Sequence, residues 1–130
     1  MRRRSALALL FGTICLAASP ALADVQRIKI LDGRTFIMDG LGVRLCGITA
    51  PAADTEAGTA AKHTMAAVIG GRKVMCVPVN SGSPCDGYVP PRTGKLYVSQ
   101  CWAGKTDIAL EMIRRGAARA VPEWSDGYYR

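Results

Sequence analysis

Four cysteines, Cys46, Cys76, Cys85 and Cys101, stand downstream of a leader that directs a chain out of the cytosol, and this combination limits the fold more than any other feature. Arg2, Arg3 and Arg4 form a positive start, an apolar stretch runs from Ala6 to Ala18, and Pro20 breaks it. Ala21-Leu22-Ala23 then supplies the small residues of a cleavage site. This is the architecture of a secretory signal. The apolar run is shorter than the roughly 20 residues that a membrane-crossing helix needs. Ile14 before Cys15 fits lipid attachment poorly. Residues 1–23 are therefore expected to be removed as a signal peptide, leaving an exported domain over 24–130, periplasmic or secreted. In an oxidising compartment an even number of cysteines argues for disulfides, and four allow three connectivities. No CxxC pair occurs, which argues against a zinc site.

The mature chain has 107 residues once the 23 of the leader are taken from 130, enough for one domain with one core. Losing the three leader arginines lowers the 17 Lys+Arg to 14 against 10 Asp+Glu, so the net charge falls from +7 to +4. A mildly basic surface suits an anionic partner such as nucleic acid, and equally suits simple solubility.

Alternation over 25–30 predicts a strand, and Leu31-Asp32-Gly33-Arg34 a turn. A second strand is expected over 35–38, a turn at Asp39-Gly40-Leu41-Gly42, and a third strand over 43–48, forming an antiparallel meander. Pro51 ends it. A helix opening at Thr55 or Gly58 runs to about Ile69, with Ala61, Met65, Val68 and Ile69 on one face, and Gly70-Gly71 stops it. Strands are expected over 73–78 and 95–102, separated by a long Gly/Pro/Ser-rich loop over 81–93. Asp107 caps a second helix whose apolar face carries Ile108, Met112 and Ile113. The order β-β-β-α-β-β-α is that of a five-stranded OB-fold, a β-barrel with helices of the α+β class. No internal repeat is visible.

The ordered segments Leu31-Asp32-Gly33-Arg34-Thr35, Val43-Arg44-Leu45-Cys46-Gly47-Ile48-Thr49-Ala50-Pro51, Gly70-Gly71-Arg72-Lys73-Val74 and Cys101-Trp102-Ala103-Gly104-Lys105-Thr106-Asp107 resemble the staphylococcal-nuclease-like (thermonuclease-like) domains. The resemblance spans nearly all of Val25 to Ala118. It implies calcium-assisted hydrolysis of phosphodiester bonds in DNA and RNA, with a glutamate activating water and two arginines stabilising the transition state. Such chemistry needs hard carboxylate oxygens for calcium, a base near the water and guanidinium forks for phosphate oxygens.

Residue by residue, this chain departs from that set. The family's first metal carboxylate corresponds to Arg34, the second to Thr49 and the general base to Ala52, while Asp32 resembles only an auxiliary acid. Arg44 matches the first catalytic arginine. Lys95 is the nearest counterpart of the second, keeping charge without the bidentate fork. The resemblance therefore implies a catalytically degenerate module that binds single-stranded nucleic acid or another anion and needs no calcium. The alternatives are an active endonuclease with a rearranged site and an exported protein-interaction domain.

The family continues into a third helix after a Ser-x-x-Tyr segment, where this sequence has Trp124-Ser125-Asp126-Gly127-Tyr128-Tyr129-Arg130. One side of the barrel is expected to depend on disulfides or a protein partner. Because the family pairs its fourth and fifth strands, Cys76–Cys101 is the favoured bridge, leaving Cys46 and Cys85 either to pair or to remain as buried thiols. Arg34, Arg44 and Lys95 form a candidate metal-free anion site, although Arg34 reads more simply as a solvated hairpin residue. Asp54 and Glu56 read as relocated acids or, more simply, as favourable charges at a helix N-terminus. His63 is expected on a helix surface. Trp102, Trp124, Tyr128 and Tyr129 offer either base stacking or packing.

Overall fold

The computed structural model describes residues 12–19, 25–88 and 94–130; the arginine start and the cleavage site of the leader, and residues 89–93 of the long loop, lie outside the described residues. Strands β1 (Ile28–Ile30), β2 (Thr35–Met38) and β3 (Leu41–Leu45) form the antiparallel meander. The turn between β2 and β3 is Asp39-Gly40 alone, with φ of 50° and 86°. Two successive positive φ values make the tight hairpin turn that matches strand twist, so Met38 and Leu41 pair directly and β3 begins two residues earlier than alternation suggests.

β3 ends where Gly47 turns the backbone with φ of 76°. A side chain there would meet the ring of Tyr129 at 2.5 Å, so two constraints select glycine. The expected third strand is thus split, and its remainder forms β4 (Ile48–Thr49). Helix α1 (Glu56–Ile69) starts where the Thr55 hydroxyl accepts the Gly58 N–H at 2.9 Å and stops at Gly70, φ 53°. It buries Ala61, Met65, Val68 and Ile69, the face that the spacing predicts.

β5 (Val74–Pro78) and β6 (Tyr97–Ala103) pair antiparallel, with Cys76 directly opposite Cys101. β6 also pairs in parallel with β3 and, through a tight turn, with β7 (Thr106–Asp107). The resulting mixed sheet has six strands, β1-β2-β3-β6-β5 with β7 beside β6. Helix α2 (Ile108–Arg114) begins at Asp107, whose carboxylate accepts the Leu110 N–H at 3.2 Å. The described residues therefore form a mixed α+β fold with two α-helices.

Strand pairing does not close this sheet into a barrel, since β1 and β5 remain its edges. A side chain bridges them instead. The Gln26 amide donates to the Val74 carbonyl at 2.8 Å and accepts from the Val74 N–H at 2.7 Å. It thereby supplies the two bonds of one ladder rung.

Both disulfides form, Cys76–Cys101 and Cys46–Cys85. The C-terminal segment packs back onto the body of the fold. β8 (Arg119–Ala120) pairs with β4, a short 3-10 turn follows over Pro122–Trp124, and Tyr129 is completely buried. Tyr129 joins Phe36, Leu45, Ile48, Met65, Val68, Val74, Ile108 and Met112 in one core. Each such side chain contributes roughly 2 kcal/mol by leaving water. The Tyr129 hydroxyl donates to the Asp107 carboxylate at 2.8 Å, and Gln100 donates to the same carboxylate at 2.9 Å. Burial and the Asp107 charge push the Tyr129 phenol well above its ordinary range. No helix among the described residues is long and apolar enough to cross a membrane.

Candidate anion site

Hairpin register decides which predicted site residues meet. Arg44 on β3 lies opposite Thr35 on β2, and its Nε donates to the Thr35 hydroxyl at 3.2 Å. Arg34 precedes Thr35, and its carbonyl accepts the Leu45 N–H at 2.7 Å. The two arginines therefore come from neighbouring rungs of one ladder. Asp32 shapes the loop before them by accepting the Arg34 backbone N–H at 2.8 Å. Gly33 is small because a Cβ there would stand 2.8 Å from that of Ala61 on α1.

Arg34 is half-buried rather than solvated, and its guanidinium reaches the Ile48 carbonyl at 3.5 Å. Burial, and then the like charge of Arg44, push its pKa down; Asp32 and Tyr88 push it back up. The guanidinium stays charged at any physiological pH. Among the described residues neither Arg34 nor Arg44 has an ion-pair partner; the ion pairs there join Glu111 to Arg114 and Arg115. Asp32 offsets part of the cost of burying Arg34, and neither guanidinium is held by a carboxylate within ion-pair distance among the described residues.

The loop that carries Tyr88 is ordered by contacts that periodicity does not reveal. The Asp86 carboxylate accepts the N–H groups of Asn80, Gly82 and Ser83 at 2.7, 2.8 and 3.1 Å, and the Ser83 hydroxyl at 3.0 Å. Desolvation pushes the Asp86 carboxyl up, but these donors outweigh it and hold the group below its ordinary value. Asn80 in turn accepts the Gly87 N–H at 3.0 Å. Cys85, buried in the same turn, is tied to Cys46 at the end of β3. The loop so fixed stacks the Tyr88 ring on Trp124 with centroids 5.2 Å apart.

The other predicted residues lie elsewhere. Lys95 is exposed in a hollow lined by Gly40, Leu41, Gly42 and Tyr97, beside the β2–β3 turn and not beside the arginine pair. The reason is register: β6 meets β3 only from Tyr97 opposite Val43 onward, so Lys95 precedes the paired stretch. Thr49 pairs with Arg119, a cation that the sequence reading did not single out. Ala52, Asp54 and Glu56 are exposed at the start of α1, where the acids suit the helix N-terminus. His63 lies on the exposed face of α1, and Tyr128 is largely exposed.

A calcium ion does not fit this donor set. Calcium takes six to eight oxygens, several of them carboxylate. Here the hairpin presents Arg34 and Arg44, and the neighbouring Asp32 already spends one oxygen on the Arg34 N–H. No group of three or more His, Cys, Asp or Glu gathers among the described residues. The arrangement suits binding of an oxyanion through guanidinium forks. No protein-family profile matches the chain, and no curated protein matches it either.

Proposed function

We propose that this chain is an exported, degenerate member of the staphylococcal-nuclease-like family that binds a phosphate group of single-stranded nucleic acid without hydrolysing it. The observation that carries the reading is the Arg34–Arg44 pair, half-buried and without an ion-pair partner among the described residues. Under this reading Arg34 supplies the positive charge that a metal ion supplies elsewhere, and Arg44 adds a second fork for the phosphate oxygens. Lys95 contributes at most long-range attraction. The strand order, with α1 inserted between β4 and β5 and Gln26 joining the sheet edges, supports an OB-type arrangement. Two disulfides support an oxidising destination, periplasmic or extracellular.

The test is fluorescence anisotropy of a labelled single strand with the oxidised protein in chelator, repeated across salt concentrations. Affinity is expected to fall steeply with salt. Arg34→Glu is expected to weaken binding at least about a hundredfold, two charge units being lost at one site. Unchanged binding by a folded Arg34→Glu protein refutes the reading. Calcium-dependent cleavage of the strand that disappears in Arg44→Ala replaces it with an active nuclease.

A further inference from the structure

Strand β1 is an edge of the sheet, and its bonding alternates. The Arg27 carbonyl accepts the Asp39 N–H at 2.9 Å, and the Leu31 N–H donates to the Thr35 carbonyl at 2.9 Å. Both residues thus turn their backbone groups toward β2. By the period of two Lys29 does the same, and the N–H and C=O groups of Ile28 and Ile30 point away from the sheet. Among the described residues no backbone partner meets them there. Gln26 bridges to β5 at one point only, on Val74. Beyond that bridge the edge opens into a hollow of about 980 Å³, lined by Ile28, Ile30, Ala66, Ile69 and Lys73.

The two faces of this edge differ. Ile28 and Ile30 are half-buried and pack against the core, whereas Arg27 and Lys29 are exposed. Neither cation has an ion-pair partner among the described residues. A strand laid along β1 continues the alternation. Its inward side chains meet Ile28, Ile30 and the hollow, and its outward side chains lie across from Arg27 and Lys29. Apolar residues suit the first set and carboxylates the second. A second copy of this chain does not fit. In the antiparallel register that bonds Ile28 of one copy to Ile30 of the other, Lys29 meets Lys29, and like charges directly opposite destabilise a sheet. We infer that the β1 edge is a docking site for an extended peptide segment of a partner protein, alternating apolar with acidic residues, which adds to the sheet as a further strand. Neither Arg34 nor Arg44 takes part, so the inference stands apart from the proposed phosphate-binding role.

The experiment titrates the oxidised protein with capped, labelled peptides of equal length and follows amide hydrogen exchange and fluorescence anisotropy. One peptide alternates valine with glutamate, one alternates valine with lysine, and one is the glutamate peptide with its backbone N–H groups methylated. The glutamate peptide is expected to slow exchange at the Ile28 and Ile30 amides at least about tenfold, and to bind at least about tenfold more tightly than either of the others. Unchanged exchange at Ile28 and Ile30 with the glutamate peptide at millimolar concentration overturns the inference. Equal binding of the lysine peptide overturns it, because the charge is then not read. Equal binding of the methylated peptide also overturns it, because the hollow is then filled without strand pairing. Exchange at the two amides that slows with protein concentration alone replaces the partner with a second copy. Lys29→Glu changes an exposed side chain and is expected to bring the two unmethylated peptides within a few-fold of each other; an unchanged preference in this variant counts against the inference.

Discussion

The side-chain amide of Gln26 bonds both backbone groups of Val74, joining the first and fifth strands where no backbone ladder does. Val74 is buried, so removing the amide leaves its N–H and carbonyl without partners. Gln26→Ala is expected to cost about 2 kcal/mol, from two lost bonds and the unmet groups behind them. Melting should drop by roughly 10 °C, and hydrogen exchange should accelerate at the Val74 amide before the β3–β6 ladder. An unchanged exchange rate at Val74 means that the bridge does not hold in solution.

Tyr129 offers a test in alkali. Its folded pKa lies above the ordinary value of 10.0, so the unfolded chain loses this proton first as pH rises. The stability it contributes is complete below pH 10 and declines above it, by up to about 1.4 kcal/mol per pH unit for one proton. Tyr129→Phe is expected to cost about 1–2 kcal/mol at pH 7, through the lost bond to Asp107, and to flatten that alkaline decline. Denaturant midpoints of both proteins from pH 7 to 11 decide it; parallel curves above pH 10 refute the assignment.

Asp86 titrates in the opposite sense. Its folded pKa lies below 3.8, so its contribution is present above that value and is lost as pH falls through the folded pKa. The expected readout is local: amide protection at Asn80, Gly82 and Ser83 collapses in acid, and Asp86→Ala removes it at every pH. Intact protection of the three amides in Asp86→Ala would show that the disulfide alone holds the loop.

Gly58 sets helix propensity against sterics. Alanine is ordinarily preferred to glycine within a helix by about 1 kcal/mol. A Cβ here would lie 1.8 Å from the Ala52 carbonyl oxygen, which is backbone and cannot swing aside. Gly58→Ala is expected to destabilise by about 3 kcal/mol, with the start of α1 displaced. A variant as stable as the parent shows that the Ala52 turn yields easily.

Periodic features were legible before any coordinates. The α1 face of Ala61, Met65, Val68 and Ile69, the caps at Thr55 and Asp107, and the meander all follow from local rules. What escaped depends on contacts distant in sequence. The parallel rung between Val43 and Tyr97 leaves no trace in either strand, yet it separates Lys95 from the arginine pair. Gln26 looked like the polar position of an alternating strand, and nothing local shows that it faces Val74, 48 residues on. Tyr129 belongs to no repeating pattern, so its burial was unreadable, as was the placing of Tyr88 by Asp86. In sequence Arg34 has the look of a solvated turn residue, and its partial burial depends on the β4 backbone that its guanidinium reaches, at the Ile48 carbonyl.

The two disulfides enclose overlapping stretches of chain, one from Cys46 to Cys85 and the other from Cys76 to Cys101. Each thus begins or ends inside the other. A protease that severs the backbone once, anywhere between Cys46 and Cys101, leaves two pieces that sulfur still joins. A cut between Cys76 and Cys85 leaves them joined twice. A nick in α1 or in the long loop therefore leaves one covalent molecule, separable only after reduction.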